Sequence, residues 1–85
     1  MMYKSAITMP WYVYDAGATD VTDPNNYGPP LSTPPSCPSP KIYLCAIQAA
    51  DNSGSPVILI VLQAEIANAL NNKAESTNVK LRPTR

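Results

Sequence analysis

Three stretches of the chain carry the apolar alternation or density of strands. Residues 8–14, "TMPWYVY", are aromatic and β-branched, and Pro10 must sit at the start of that strand or on an edge. Residues 41–49, "KIYLCAIQA", predict a second strand. Period two puts Ile42, Leu44 and Ala46 on one face and Tyr43, Cys45 and Ile47 on the other. Both faces are apolar, as expected where one meets a core and the other meets further cover. Near the C-terminus, "TNVKLRPTR" alternates Val79 and Leu81 with Lys80 and Arg82. It reads as a short amphipathic strand stopped by Pro83.

A different period runs between the last two strands. Ser55-Pro56 reads as a helix start, with Ser55 as N-cap and Pro56 in the first helical position. The helix is expected over 56–71 or 56–72. Ile58, Leu59, Leu62, Ile66, Ala69 and Leu70 lie near one stripe, with Gln63, Asn68 and Asn71 on the polar side. A strand through "PVILIVLQ" is the competing reading. The good helix formers of "LQAEIANAL" continue the helical pattern and favour the helix. The first turn and a half is apolar all round, so Val57, Ile60 and Val61 need cover beyond one sheet face. That hints at a partner or at self-association.

Residues 18–41 show neither period. "DAG" at 15–17 is a turn signal, "TDPNNYGPP" is turn chemistry with Asp23 starting an Asx-type turn, and "DNSGS" at 51–55 reads as a loop. Six of the ten prolines fall between Pro29 and Pro40. A structureless connection of this length is uncommon in a compact domain, so it is either disordered or pinned. Cys37 and Cys45 offer the pin. They lack further partners for a zinc site and are not a C-x-x-C redox pair, which leaves a disulfide or two free thiols. We expect the disulfide, worth about 2–3 kcal/mol for so short a loop, and with it an oxidising compartment. Prolines lower the entropy of the unfolded chain, so a Pro-rich strap is easier to order. Tyr27 and Leu31 are its natural apolar anchors. The expected architecture is α+β: a single small domain over 1–85, with a small antiparallel sheet of about three strands, one helix and a Pro-rich irregular strap at 18–41.

Composition changes this picture in two ways. The margin of stability is thin, because an 85-residue chain buries only about 60–65% of the surface that it exposes unfolded. The surface is also charge-poor, with 14% charged residues and a net charge of zero. Such a surface is a poor match for nucleic acid and tends to associate. "MMYKSAITMPWY" lacks the apolar stretch of a signal peptide. The apolar run 57–62 is far short of a membrane span. The chain as given therefore reads as soluble or peripheral, or as a mature form without its leader.

Chemistry is sparse. The chain has no histidine, which removes the usual general base near neutral pH and the commonest zinc ligand. Asp15, Asp20 and Asp23, followed by Asn25 and Asn26, could offer oxygens to calcium, but they lack the EF-hand spacing and read better as a solvated turn-rich loop. The serines stand in no G-x-S-x-G or Ser-x-x-Lys motif, and no phosphate-cradling glycine loop is present. Pro35 and Pro38 form one P-x-x-P without a flanking basic residue, and Lys80, Arg82 and Arg85 make only a thin basic tail. No enzyme activity, cofactor, metal or small-molecule substrate is expected. The aromatic residues are the remaining signal: five tyrosines and one tryptophan, with no phenylalanine. Trp11, Tyr12, Tyr14 and Tyr43 on adjacent strands would form a ladder. It serves either as the core of a minimal domain or as a contact surface. The expected interface is Trp11, Tyr12, Tyr14, Tyr43, Val57 and Ile60.

The order "WYVY", "DPNNY", a Pro-rich stretch with one cysteine, "LCAIQA", "LQAEIANAL" and "TNVKLR" resembles a family of small uncharacterised exported proteins of Bacteroidota, a domain of unknown function. The resemblance covers roughly residues 11–82, and "DPNNY" with the Cys37…"LCAIQA" pair are its most specific pieces. Members begin with a signal peptide, and "MMYKSAITM" departs from that pattern. The resemblance implies export and disulfide formation, and it brings no catalytic residue or ligand. Together these readings point to a non-catalytic exported protein at the cell surface, in the periplasm or outside the cell. It would act by contact, with a protein partner or with itself, as a structural or accessory subunit of an assembly such as a filament. The rival from another class is a secreted monomeric effector, a toxin or inhibitor.

Overall fold

The computed structural model of the chain describes residues 9–84. Its centre is β2, Tyr43–Gln48, the segment that is apolar on both faces. It pairs antiparallel with β1, Trp11–Val13, on one side and with β5, Val79–Arg82, on the other, so the sheet order is β1-β2-β5. Thr8, which the sequence assigns to the first strand, lies outside the described residues. Tyr12 stands opposite Ile47 and Val13 opposite Ala46, while Ile47 faces Val79 and Leu44 faces Leu81. Between Leu44 and Ala46 the register with β5 slips by one residue. Cys45 is therefore the extra residue of a bulge, which breaks strict alternation. Leu44 and Ile47, assigned by period two to opposite faces, both join the core with Tyr12, Val79 and Leu81.

One helix, α1, spans Ile60–Asn72 and lays Ile66 and Ala69 onto that core, with Leu62 and Leu70 half-buried beside them. Removing a side chain such as Ile66 from water stabilises by about 1.5–3 kcal/mol. The helix ends on Lys73 in the left-handed conformation, whose N–H bonds the Ala69 carbonyl.

The helix start differs from the sequence expectation. Ser55 does not cap it, and Pro56 is not in its first turn. Asp51–Asn52 (β3) and Ser55–Pro56 (β4) form a two-residue hairpin, a second small sheet that the sequence reading assigns to a loop. Ser53 and Gly54 turn it with φ of 54° and 93°. Positive φ at both positions suits the twist of a tight hairpin, and only glycine takes it freely. The Asp51 carboxylate accepts the Gly54 N–H and fixes the turn. Val57 N–H continues the ladder to the Ala50 carbonyl, so the chain stays extended until Leu59, the N-cap.

The strap between β1 and β2 is held by backbone bonds as far as Leu31 and by the Cys37–Cys45 disulfide beyond it. Asp23 accepts the Asn25 N–H and starts a 3₁₀ turn over Pro24–Asn26, with proline at its head. The chain then runs back along the outer edge of β1. Gly28 N–H bonds the Val13 carbonyl, and Trp11 and Leu31 exchange two backbone bonds of 2.9 and 2.8 Å. An otherwise open strand edge is thus covered by the chain's own strap. Cys37 and Cys45 are joined in a disulfide, with Cα atoms 6.2 Å apart, which fastens the strap to β2. The structure is the α+β fold expected, with one helix and a three-stranded antiparallel sheet, plus the second small hairpin.

Candidate contact surface

The residues expected at a contact divide sharply. Tyr12 is fully buried, and its hydroxyl donates to the Asp51 carboxylate. Burial, and then the bond to and charge of Asp51, push that hydroxyl's pKa well up, so it stays protonated. Tyr14 is buried with its ring 5.1 Å from that of Tyr27, whose hydroxyl donates to the Val21 carbonyl. Burial, then the neighbouring Tyr14 and Asp20, raise the Tyr27 pKa as well. Trp11 is only 7% exposed and stands outside the cluster beneath α1, with the Lys80 ammonium 5.8 Å from its ring centre. That separation suits a cation–π contact. No exposed aromatic ladder exists along β1: its Trp11 and Tyr12, and Tyr14 just after it, are covered by their own chain. Tyr12 lies in the cluster that α1 closes, Tyr14 packs against Tyr27 of the strap, and Trp11 is bonded through its backbone to Leu31 and lies under Lys80. Tyr43, at the start of β2, is 41% exposed. Val57 is half-buried, and Ile60 is 80% exposed.

Ile60 belongs to an aliphatic step at the head of α1. Leu59 is 66% exposed and Val61 80%. Sequence periodicity assigns Leu59 to the buried stripe. Helical spacing does not reach it, because Leu59 is an extended N-cap residue. Its side chain offers no oxygen to the first-turn N–H groups, and the first turn holds no acidic residue. Three adjacent large aliphatic side chains at a helix start without a side-chain cap are an unusual surface for a free domain.

Two shallow clefts flank the helix. One, of about 230 Å³, lies beside the step and is lined by Ala49, Val57, Leu59, Val61 and Glu65 among others. The other, of about 200 Å³, lies towards the far end of α1. Its apolar wall is Ala18, Val21, Leu44 and Leu70 with Tyr14 and Tyr43, and Asp15 and Arg82 flank it. Arg82 is held by bonds of 3.0 Å from Nη2 to the Tyr14 carbonyl and from Nε to the Thr84 carbonyl. Asp15 is exposed, and its carboxylate has no partner among the described residues. Neither the step's full extent nor this cleft is legible from motifs. The only signal is that "VILIV" is longer than one helix face can bury.

The acidic loop holds itself together. Asp20 accepts from the Thr22 hydroxyl and N–H, which keeps its carboxyl below the usual range, and Asp23 caps its own turn. Among the described residues no group of three or more histidine, cysteine or acidic side chains is placed to hold a metal ion. No described helix is long and apolar enough to cross a membrane. Of the basic tail, Lys80 lies over Trp11, Arg82 anchors the cleft, and Arg85 is outside the described residues. No family model matches the chain, and neither a curated protein nor a solved structure does.

Proposed function

We propose that this protein works by contact, as a non-catalytic structural or accessory subunit of an exported assembly. The observation that carries the reading is the exposed step Leu59, Ile60 and Val61 at the head of α1. Leaving such side chains in water forfeits about 1.5–3 kcal/mol each relative to burial, which a partner surface recovers. The charge-poor, neutral surface does little to keep copies apart. Export is supported by the Cys37–Cys45 disulfide, since such bonds persist in oxidising compartments, and by the resemblance to exported Bacteroidota proteins.

A specific observation favours a second reading, the secreted monomeric effector. Trp11, Tyr12, Tyr14 and Tyr27 are all covered within one chain, so the fold closes its own aromatic core. Size-exclusion chromatography with light scattering, on protein isolated with its disulfide intact, separates the two. The contact reading expects a mass that grows with concentration or a stoichiometric companion, and Ile60→Glu should abolish either. A clean monomer at every concentration, with no companion, sinks it in favour of the effector.

A further inference from the structure

The step at the head of α1 and the smaller cleft near its end are built from different residues. Ile60 and Leu70 stand about 15 Å apart along the helix axis. A rigid helix separates them, so no copy can seat its own step in its own cleft. We infer that the partner is a second copy of this chain, docked head-to-tail, with Ile60 and Val61 of one copy seated in the Ala18–Leu70 cleft of the next. This rests on the contact reading above and gives it a geometry.

Size is the first argument. At about 200 Å³ the cleft is smaller than the ~300–1,000 Å³ typical of small-molecule sites, and it suits side chains rather than a whole ligand. Its wall joins the aliphatic Ala18, Val21, Leu44 and Leu70 to Tyr14 and Tyr43, a mostly apolar lining for the aliphatic step. Charge is the second. The head of α1 lacks a side-chain cap and a first-turn acid, so its N–H groups carry unmet positive potential. Asp15 stands at the cleft, and among the described residues its carboxylate has no partner. Seating the step brings that carboxylate to the helix start of the copy that supplies the step, where a carboxylate is the favoured capping group. The helix dipoles also run head-to-tail in this arrangement. A docked pair then keeps one free step on one copy and one free cleft on the other. The contact is heterologous and continues as an open chain unless its rotation happens to close a ring.

The test uses two variants, with sedimentation velocity over a wide concentration range. Ile60→Glu/Val61→Glu removes the step, and acids in a first helical turn leave the monomer fold intact. Thr19→Trp fills the cleft from an exposed position on its lining. Each variant alone is expected to stay monomeric. An equimolar mixture should form a dimer and nothing larger, because one good step then meets one good cleft and growth stops. Far-UV circular dichroism checks that both variants are folded. If Thr19→Trp proves unfolded, Asp15→Lys at an exposed site takes its place, with an expected rise in dissociation constant of about tenfold. Assembly of the folded cleft variant at wild-type strength overturns the head-to-tail geometry and leaves the contact reading standing. A wild type that is monomeric throughout overturns both.

Discussion

Glu65 and Glu75 hold the connection between α1 and β5. The Glu65 carboxylate accepts the Asn78 N–H at 2.8 Å, the Asn78 side-chain amide at 3.0 Å and the Ser76 hydroxyl. Glu75 accepts the Leu81 N–H at 3.0 Å and pairs with Lys41 at 3.0 Å. Burial alone would raise both acids. The hydrogen bonds outweigh it, with Lys41 adding its charge at Glu75, and hold both below the usual glutamate value. A carboxyl depressed on folding contributes stability that is present above its unfolded pKa and lost as pH falls through its folded one. The protein should therefore lose stability as pH drops below about 4.5, the ordinary glutamate value. Glu65→Gln should cost about 1 kcal/mol at neutral pH and flatten part of that acid slope. Urea unfolding at several pH values measures both, and an unchanged slope would remove Glu65 from the account. Neither acid is marked by the sequence, because their partners, two backbone N–H groups and the side chains of Ser76, Asn78 and Lys41, are brought in by the fold. Aromatic positions are more legible. Tyr27 anchors the strap as expected, while Leu31 anchors it through backbone bonds with its side chain 37% exposed.

Among the elements, the three strands of the main sheet and the helix end are readable, and the small hairpin and the helix start are not. Val79 and Leu81 alternate with Lys80 and Arg82, and β5 forms there. Ser-Pro is good cap chemistry, but it is equally compatible with the returning arm of a hairpin, and Ser53-Gly54 decides the matter by turning with positive φ. Whether Asp51 and Asn52 fold back on Ser55 and Pro56 depends on a hairpin pairing that no periodicity encodes. The bulge at Cys45 is hidden for the same reason, being a mismatch between two strands rather than a property of one. The extended Leu59 N-cap has an energetic consequence. Ser55→Ala should leave the helix untouched. Leu59→Asp, at the true N-cap, should stabilise the monomer by about 1 kcal/mol, since it replaces an exposed aliphatic residue with a capping group. Denaturant melts at low protein concentration test the pair. A Ser55→Ala loss larger than that of Leu59→Ala would reinstate the sequence reading of the helix start.

At the level of the whole molecule, the disulfide decides how the strap holds. A loop closed by residues eight apart contributes about 2–3 kcal/mol in the chain-entropy model, a large share of the 5–15 kcal/mol of a typical domain. Reduction should lower the melting temperature and open residues 28–37 to proteases while β2, β5 and α1 persist. Failure of the strap to become protease-sensitive would show that the Trp11–Leu31 backbone bonds hold it unaided.

Trp11 sits on β1, bonded through its backbone to the strap and stacked with Lys80, apart from the cluster under α1. It is also the chain's single tryptophan. The molecule thus carries its one indole reporter on β1 beside the strap and none in the cluster under α1. Indole emission shifts to the red when water reaches the ring, so fluorescence here reads the strap, whereas ellipticity near 222 nm, a wavelength set by the peptide group, reads the helix. On reduction the two signals should separate: emission moves first and ellipticity follows at higher denaturant. An unfolding curve recorded by tryptophan fluorescence alone would describe the undocking of the strap and be mistaken for the unfolding of the domain.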